Sequence, residues 1–307
     1  MNASTQPHSV RHVRVSKDRD GQRLDNFLLG LLDGVPRSLV YRLVRTGQVR
    51  VNGGRAKPMQ KLRCGDEVRV PPVASRPPSD AVLPAQLVGG IKQRIVGQNE
   101  SYCVVDKPAG LAMHAGSGLR YGLVDVMSRL NPAWRPVHRL DRATSGLVVF
   151  AATRAALAEL QRCFTQRKVS KRYLALLSGE LREDRVEVDA ALKKIRDNSG
   201  QHRVIADPDG QSALTRFRVL ERVGGYSYVE AEIETGRTHQ IRAHARHIDH
   251  PIAGDERYNP EAPPTDLRRL FLHAHSLRLP WPDDQVFSVP LPQELATALE
   301  KLRRSDP

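Results

Sequence analysis

A proline-rich stretch, "PPVASRPPSDAVLP" at residues 71–84, divides the sequence into two parts. Each proline fixes its own φ angle and removes a backbone donor, so no helix or central strand can run through five of them. The stretch is therefore predicted to be an extended, semi-rigid linker. The 307 residues are enough for about two domains. We expect a disordered N-terminus over 1–15, a small domain over 16–72, the linker over 73–88 and a larger domain over 89–307.

The small domain shows the pattern of two short helices followed by two strands. Apolar residues at i, i+3, i+4, i+7 and i+8 predict one face of a helix over Leu24–Leu32. A second helix is expected after Pro36, and strands are expected at "QVRVNG" and "DEVRVPP". The helices should bury their leucines against this small sheet and leave an arginine-rich side in solvent.

The charge of the chain points to a polyanionic partner. The formal net charge is +14, and nucleic acid is the commonest partner of so basic a protein. A protein that is merely basic is the alternative. Residues 1–78 hold 15 Lys and Arg against 6 Asp and Glu, a net charge of +9, so the small domain is the more basic for its size. Three arginines on the solvent side of its second helix are predicted to contact nucleic-acid phosphates: Arg37, Arg42 and Arg45.

The cysteines and the hydrophobic runs indicate the compartment. Cys64, Cys103 and Cys163 match neither a disulfide framework nor a zinc knuckle, which predicts free thiols in a reducing compartment. The sequence starts without an apolar signal core, and no apolar run approaches the length of a membrane span. We therefore expect a cytoplasmic protein that does not contact a membrane.

The histidines do not predict a metal site. His239, His244 and His247 are spaced by five and then three residues, which does not place three imidazoles on one face of a helix. No cysteine or nearby carboxylate completes a ligand set. Backbone hydrogen bonds and nucleic-acid contacts are the uses we expect. Phosphate-binding and dinucleotide-binding loops are also missing from the sequence, so we expect no metal and no cofactor.

The larger domain mixes strands and helices irregularly. "YCVVDKP" and "KRYLALLSGE" are predicted strands, and "RAALAELQRCFTQR" and "RTHQIRAHARHID" are predicted helices. A hairpin that turns at Asp209 and Gly210 is expected within "HRVIADPDGQSALTRFRV". Hairpins among helices predict an α+β fold with a mixed, largely antiparallel sheet and flanking helices, next to a small α+β domain.

One segment, "VHRLDRATSGLVVF" at Val137–Phe150, places an acid between two arginines just before an apolar run that suits a buried strand. Together with "VVDKPAGLAMH", "KRYLALLSGE", "GRTHQIRAHARHIDHPIAGDERY" and "FLHAHSLRLPWP", it resembles the motifs of the RluA-type pseudouridine synthases. The resemblance extends over the chain from about residue 90. In the small domain, "GVPRSLVYRLVRTGQVRVNG" resembles the S4 RNA-binding domain, which covers about residues 16–72.

The resemblance implies a reaction and the residues that perform it. Such enzymes isomerise uridine within RNA: the C1′–N1 bond breaks, the uracil turns, and C1′ rejoins at C5 without a cofactor. Asp141 corresponds to the carboxylate that either attacks C1′ or removes the 2′ proton, and both routes stay open. Arg237 corresponds to the arginine that pairs with this aspartate, and Tyr173 to the tyrosine that stacks on the base.

The resemblance also implies RNA contacts around the aspartate. The target uridine must leave its stack, and Arg139 corresponds to the side chain that enters the gap. His138 and Arg142 are predicted to bind RNA beside it, although Arg142 could instead pair with a local acid. The implied partner is 23S ribosomal RNA, before or during large-subunit assembly, and we expect a monomer.

Two smaller features of this segment matter. Gly146 is expected to permit a close backbone approach. Ala143 stands where many relatives carry an acid, which affects fine positioning or RNA preference.

Two alternatives belong to other functional classes. An S4-bearing ribosome-assembly protein without catalysis would share the basic domain and lack turnover. A glycoside hydrolase would also cleave at an anomeric carbon, but that class usually needs two carboxylates that flank the bond.

Overall fold

The structure is a computed structural model that describes residues 9–32, 35, 37–73, 83–115, 119–196, 202–259 and 267–305. The chain divides into two compact units, Met1–Val82 and Leu83–Pro307.

The first unit packs two helices on a small antiparallel sheet. Its elements are β1 (Arg11–Arg14), α1 (Leu24–Leu31), α2 (Arg37–Arg45), β2 (Arg50–Val51), β3 (Gly54–Arg55) and β4 (Glu67–Val70). The strand order is β1-β4-β2-β3. The apolar faces of both helices meet the sheet in one core, which includes Leu24, Leu28, Leu43 and Val68. Both predicted helices and both predicted strands are confirmed.

The predicted disorder at the N-terminus is wrong for Arg11–Arg14. This segment forms β1, which pairs antiparallel with β4 and places Val13 opposite Val68. Val15, directly after the strand, is buried in the core of the unit. An unpaired edge of β4 would leave its backbone groups open, and β1 satisfies them.

The second unit contains one large sheet with helices on it. Its first half consists of α3 (Ala85–Lys92), β5 (Ile95–Gln98), β6 (Tyr102–Lys107), α4 (Leu123–Leu130), β7 (Arg135–Pro136), β8 (Ser145–Ala151), α5 (Arg154–Thr165) and β9 (Ser170–Ser178). The second half consists of β10 (Arg185–Asp189), β11 (Leu192–Arg196), β12 (His202–Ala206), β13 (Leu214–Val223), β14 (Tyr226–Ile233), α6 (Gln240–His247), β15 (Leu272–Leu279), β16 (Gln285–Ser288) and α7 (Gln293–Ser305).

The large sheet has the order β10-β13-β14-β9-β15-β8-β6-β5, with β16 beside β15 and β7 beside β8. Its described strand pairs are antiparallel except for β8 with β15. This arrangement confirms the α+β fold class with a largely antiparallel sheet. All seven residues of β8 are buried, because apolar clusters cover both of its faces. A strand buried on both sides needs an uninterrupted apolar sequence, which is what "GLVVFA" supplies.

Gly146 lies where β8 meets β15. Its φ angle is +113°, and a Cβ atom at this position would lie 2.2 Å from the carbonyl oxygen of Ala274. The close backbone approach expected for this glycine is therefore confirmed.

Two other local predictions are wrong. The predicted linker reaches residue 88, but Ala85–Lys92 form α3. Pro84 caps this helix, a place where its missing N–H costs nothing. Residues 74–82 of the linker lie outside the described part of the chain.

The predicted hairpin does not form either, because β12 pairs with β11 in a separate two-stranded sheet, while β13 pairs with β10 and β14. The turn before Gly210 exists, but it leads the chain into a different sheet.

Candidate active site

Asp141 lies in the loop that joins β7 to β8, just before the start of β8, an interior strand of the large sheet. Its side chain is 18% exposed. The Oδ2 atom of Asp141 lies 3.4 Å from Nη1 of Arg242 and 3.6 Å from Nε2 of His239. A carboxylate that is mostly removed from water thus faces a guanidinium and an imidazole.

Arg242 is held in place by a second carboxylate. It lies in the first turn of α6, and its Nε and Nη2 atoms each donate to Asp255 at 2.7 Å. Its guanidinium carbon also lies 5.0 Å from the ring centre of Tyr258. Burial alone would lower the pKa of Arg242, but the hydrogen bonds and charge of Asp255 and the charge of Asp141 outweigh it and raise that pKa. Arg242 therefore stays charged and presents its free Nη1 edge to Asp141.

Asp255 is itself fixed by the backbone. Its side chain is fully buried and accepts the backbone N–H groups of Arg257 and Tyr258 at 3.1 and 3.2 Å. Four hydrogen bonds to one carboxylate orient it, and Arg242 with it.

Arg237 does not make the ion pair that the sequence predicted for it. It lines the same cavity as Asp141, but its Nε donates to the backbone carbonyl of Ser212 at 3.2 Å. The arginine that contacts Asp141 lies five residues later, because α6 starts at Gln240 and turns Arg242 toward the interior. Arg237 precedes the helix and stays near the surface. The pairing is corrected, while the requirement for a fixed cation beside Asp141 is met by Arg242.

His239 is neutral and hydrogen-bonded to Tyr258. Burial is the main cause that lowers the pKa of His239, to about 4, although the Asp141 charge opposes this change. The Tyr258 hydroxyl accepts the backbone N–H of Val204 at 3.0 Å and lies 3.0 Å from Nδ1 of His239. We assign Tyr258 as the donor and Nδ1 as the acceptor, because the single N–H proton of the neutral ring then sits on Nε2 and faces Asp141.

Tyr173 forms another wall of the cavity. It lies on β9 and is 8% exposed. Burial, and then the charge of Asp141, raises the pKa of Tyr173, so its hydroxyl is protonated at neutral pH. The structure thus brings Tyr173 and Asp141 together, as the sequence predicted.

The cavity around Asp141 is open to solvent and has a volume of about 70 Å³. Its polar lining includes Asp141, Tyr173, His239 and Arg242, with Arg139 and Arg237 at the same site. Apolar side chains complete it: Leu140, Ile233, Ile241 and Leu272. A flat, partly apolar ring could be held here while a polar group attached to that ring faces the Asp141 carboxylate.

The three predicted RNA-binding residues near Asp141 differ in their contacts. Arg139 is exposed and lines both this cavity and a neighbouring groove. His138 stacks on Phe164 at 4.7 Å, and its Nε2 accepts the Val149 backbone N–H. Burial lowers the pKa of His138, so the ring is neutral.

Arg142 donates from Nε to the Gly110 carbonyl at 3.0 Å, and the Gly110 N–H donates back to the Arg142 carbonyl at 2.8 Å. Among the described residues Arg142 pairs with no acid, and its contact with an RNA phosphate stays a prediction. The residue instead ties the Asp141 loop to the loop after β6.

The three arginines predicted to bind RNA in the first unit all belong to α2. The side chains of Arg42 and Arg45 are exposed, and the side chain of Arg37 lies outside what the structure describes.

His244 and His250 make hydrogen bonds within the protein, whereas His247 is exposed. His244 contacts Thr215 and the Ala190 carbonyl, and His250 contacts the Ser178 carbonyl. Within the described ranges, no three His, Cys, Asp or Glu side chains come together as a possible metal site.

The helices in these ranges are also too short or too polar to traverse a bilayer.

The sequence analysis missed Arg242, His239, Asp255 and Tyr258 as parts of the site. All four lie within "GRTHQIRAHARHIDHPIAGDERY", which was singled out as one segment. No sequence signal pairs Arg242 with Asp255, because the two lie 13 residues apart, on a helix and on the loop after it.

Known proteins similar to this chain match both of its parts. Residues 101–247 match the family described as RNA pseudouridylate synthase, and residues 22–68 match the S4 domain. The ribosomal large subunit pseudouridine synthase C of Haemophilus influenzae is 40% identical over 310 residues, which cover 97% of this chain and 96% of that protein. The protein of the same name from Escherichia coli is 40% identical over 316 residues, with 98% and 99% covered.

Two solved human structures have a similar fold. The structure of the human protein named RNA pseudouridylate synthase domain containing 4 aligns with a TM-score of 0.60 at 26% sequence identity. The alignment covers 71% of this chain and 96% of the human chain. Human RNA pseudouridylate synthase domain containing 1 has a TM-score of 0.53 at 29% identity, with 69% and 96% covered.

Proposed function

The chain belongs to the RNA pseudouridylate synthase family and is an RNA pseudouridine synthase, and from this we propose that it modifies 23S ribosomal RNA with Asp141 as its catalytic carboxylate. The RNA target is inferred from relatives named ribosomal large subunit pseudouridine synthase C, which match nearly the whole chain. The observation that carries the role of Asp141 is its contact with a fixed guanidinium inside a cavity.

The chemistry requires a carboxylate that stays ionised next to the ribose. Taking a carboxylate out of water disfavours its charged form. Arg242 opposes this effect, because it is charged and cannot turn away while Asp255 holds two of its nitrogens. Asp141 can then attack C1′ or accept the 2′ proton, and both routes stay open.

The uracil must be held while it is detached from the sugar. Tyr173 and the apolar wall of the cavity offer a flat surface for the base. Because its hydroxyl is protonated, Tyr173 adds no negative charge beside Asp141. We propose that Arg139, exposed at the cavity, occupies the place that the extruded nucleotide leaves in the RNA stack.

The S4 domain would supply affinity. Arg42 and Arg45 are exposed on α2 and can contact RNA phosphates, which gives affinity that does not depend on the base sequence. We propose that the enzyme acts in the cytoplasm as a monomer, before or during assembly of the large subunit, when target uridines are still accessible.

Mapping pseudouridines in 23S rRNA tests the substrate. In a strain that lacks the gene, specific positions should remain uridine, and the wild-type protein should restore them. The Asp141→Asn variant should restore none. If the 23S map is unchanged by the deletion, the proposed RNA target is wrong. If Asp141→Asn restores the missing positions, the catalytic role of Asp141 is wrong.

A further inference from the structure

Next to the Asp141 cavity lies a groove of about 560 Å³. The two share Arg139, Tyr173 and Arg237 in their linings, so a strand of RNA in one can continue into the other. The groove also contains Lys171, which lies two residues before Tyr173 on β9. Alternate residues of a strand point to the same face, so the two side chains are neighbours, roughly 7 Å apart along β9.

Lys171 is a buried cation with few partners. It is 6% exposed, and its Nζ donates to the backbone carbonyl of Glu234 at 3.3 Å. The ammonium also lies 5.8 Å from the ring centre of Phe164. An ammonium has three donors, and among the described residues the Glu234 carbonyl is the one hydrogen-bond acceptor that Lys171 reaches. Burying an ammonium without hydrogen-bond partners is costly, so an acceptor atom of a bound ligand would be stabilising at this position.

The nearby acid does not neutralise Lys171. The carboxylate of Glu234 contacts Arg216 at 2.6 Å and Arg167 at 3.4 Å. Arg167 lines the same groove. Burial, and then the charge of Arg167, lowers the pKa of Lys171 to about 8, against the opposing charge of Glu234. At neutral pH the ammonium is still mostly protonated, so the groove presents an unneutralised positive charge beside the cavity.

We propose that Lys171 forms a phosphate subsite, which binds the RNA backbone next to the nucleotide held in the Asp141 cavity. This inference rests on the proposed function of that cavity. A phosphate oxygen would accept the unused Lys171 donors, and Arg139 and Arg167 flank the same groove. The subsite would fix the distance between the bound phosphate and the base on Tyr173.

The test compares two variants with a matched control. Lys171→Met and Lys171→Gln each remove the charge and keep most of the side-chain length. Lys92→Met removes one charge from an exposed residue at the end of α3, away from the groove lining. The substrate is a transcript of 23S rRNA that contains a mapped target, and KM and kcat of the full-length proteins are measured over a range of KCl concentrations.

Both Lys171 variants should raise KM about tenfold, the effect of losing one charged hydrogen bond, while kcat stays within about twofold. The slope of log KM against log salt should fall by about 0.7, the value for one contact with single-stranded RNA. Lys92→Met should leave kcat and KM unchanged. A merely structural role would lower thermal stability and kcat, and would not change the salt slope.

A substrate with one neutral methylphosphonate supplies the second arm and needs no folded variant. At the proposed phosphate it should raise the KM of the wild type about tenfold and have no further effect on Lys171→Gln. If the Lys171 variants keep the wild-type KM and slope, the groove holds water only and the subsite is refuted. If the wild type itself shows no turnover, the proposed function fails instead, which is a separate result.

Discussion

The Asp255→Asn variant tests whether a buried ion pair contributes more to the stability of this protein than an exposed one. Asp255 binds Arg242 through two hydrogen bonds of 2.7 Å, and the two side chains are 0% and 10% exposed. Asparagine has the same shape but lacks the charge, and its amide turns a donor toward a guanidinium. Removing one partner of a buried pair costs about 3–5 kcal/mol. Because the Asp141 carboxylate still lies near Arg242 and offsets part of its charge, we expect the lower end, about 3 kcal/mol.

This loss should be visible in a thermal melt followed by circular dichroism. For a domain of roughly 200 residues, 1 kcal/mol corresponds to about 2–4 °C, so the midpoint should fall by roughly 6–12 °C. At 25 °C kcat should fall about a hundredfold, which is more than the unfolded fraction accounts for. The reason is that Arg242 no longer holds a fixed position against Asp141.

The matched control is Asp284→Asn. Asp284 binds Arg278 with the same bidentate geometry, 2.8 and 2.7 Å, but the side chains are 51% and 58% exposed. An exposed pair is screened by water and contributes little, so neither the midpoint nor kcat should change measurably. Equal shifts in the two variants would refute the reasoning from burial, and an unchanged kcat in Asp255→Asn would refute the positioning of Arg242.

Three further predictions follow from single contacts. Gly146→Ala should destabilise the protein by about 3 kcal/mol or more in urea unfolding, because its Cβ would overlap the Ala274 carbonyl at a positive φ. Tyr258→Phe should lower kcat about tenfold with little change in KM, because His239 loses the hydrogen bond that places its proton on Nε2. Burial, and then the charge of Arg269, lowers the pKa of Lys107 to about 7, so between about 7 and 10.5 the unfolded chain holds a proton that the folded chain has released. The free energy of unfolding of the wild type, relative to Lys107→Met, should therefore rise with pH across this window.

Each of these predictions can fail in a defined way. A Gly146→Ala protein as stable as Gly53→Ala, whose Cβ would meet open space, would contradict the close strand approach. A Tyr258→Phe variant that raises KM but not kcat would move Tyr258 from positioning to substrate binding. A pH-independent difference between the wild type and Lys107→Met would mean that Lys107 stays charged when buried.

The fold could be predicted where a pattern is local. The uninterrupted apolar run of β8 and the alternation of β14, with Val229, Ala231 and Ile233 buried, are direct consequences of burial on two faces or on one. Strand pairing is not local. The strand β12 found its partner in β11, before it in the chain, and no turn signal near Asp209 could show this. Likewise, β1 forms because β4 has a free edge, which its own sequence does not reveal.

The candidate site was predictable as a region and only partly as a set of contacts. Asp141 and Tyr173 were expected together and do line one cavity. The partner of Asp141 was misplaced by five residues, because Arg237 and Arg242 lie in the same segment and the start of α6 decides which one turns inward. Asp255 could not be recognised in advance, since its role depends on a loop that folds back onto α6.

The most direct measurement is tritium release from RNA that carries uridine labelled at C5. The wild type should release tritium from a 23S rRNA transcript, and Asp141→Asn should release none while it binds the same RNA with nearly unchanged affinity. Arg242 retains Asp255 in that variant, so the fold of the site should persist. Asp106→Asn is the matched control, because its carboxylate is 19% exposed and pairs with Arg94 but lies outside the cavity lining; it should release tritium at the wild-type rate. Release by Asp141→Asn at a rate comparable with the wild type would contradict the central claim that this carboxylate performs the reaction.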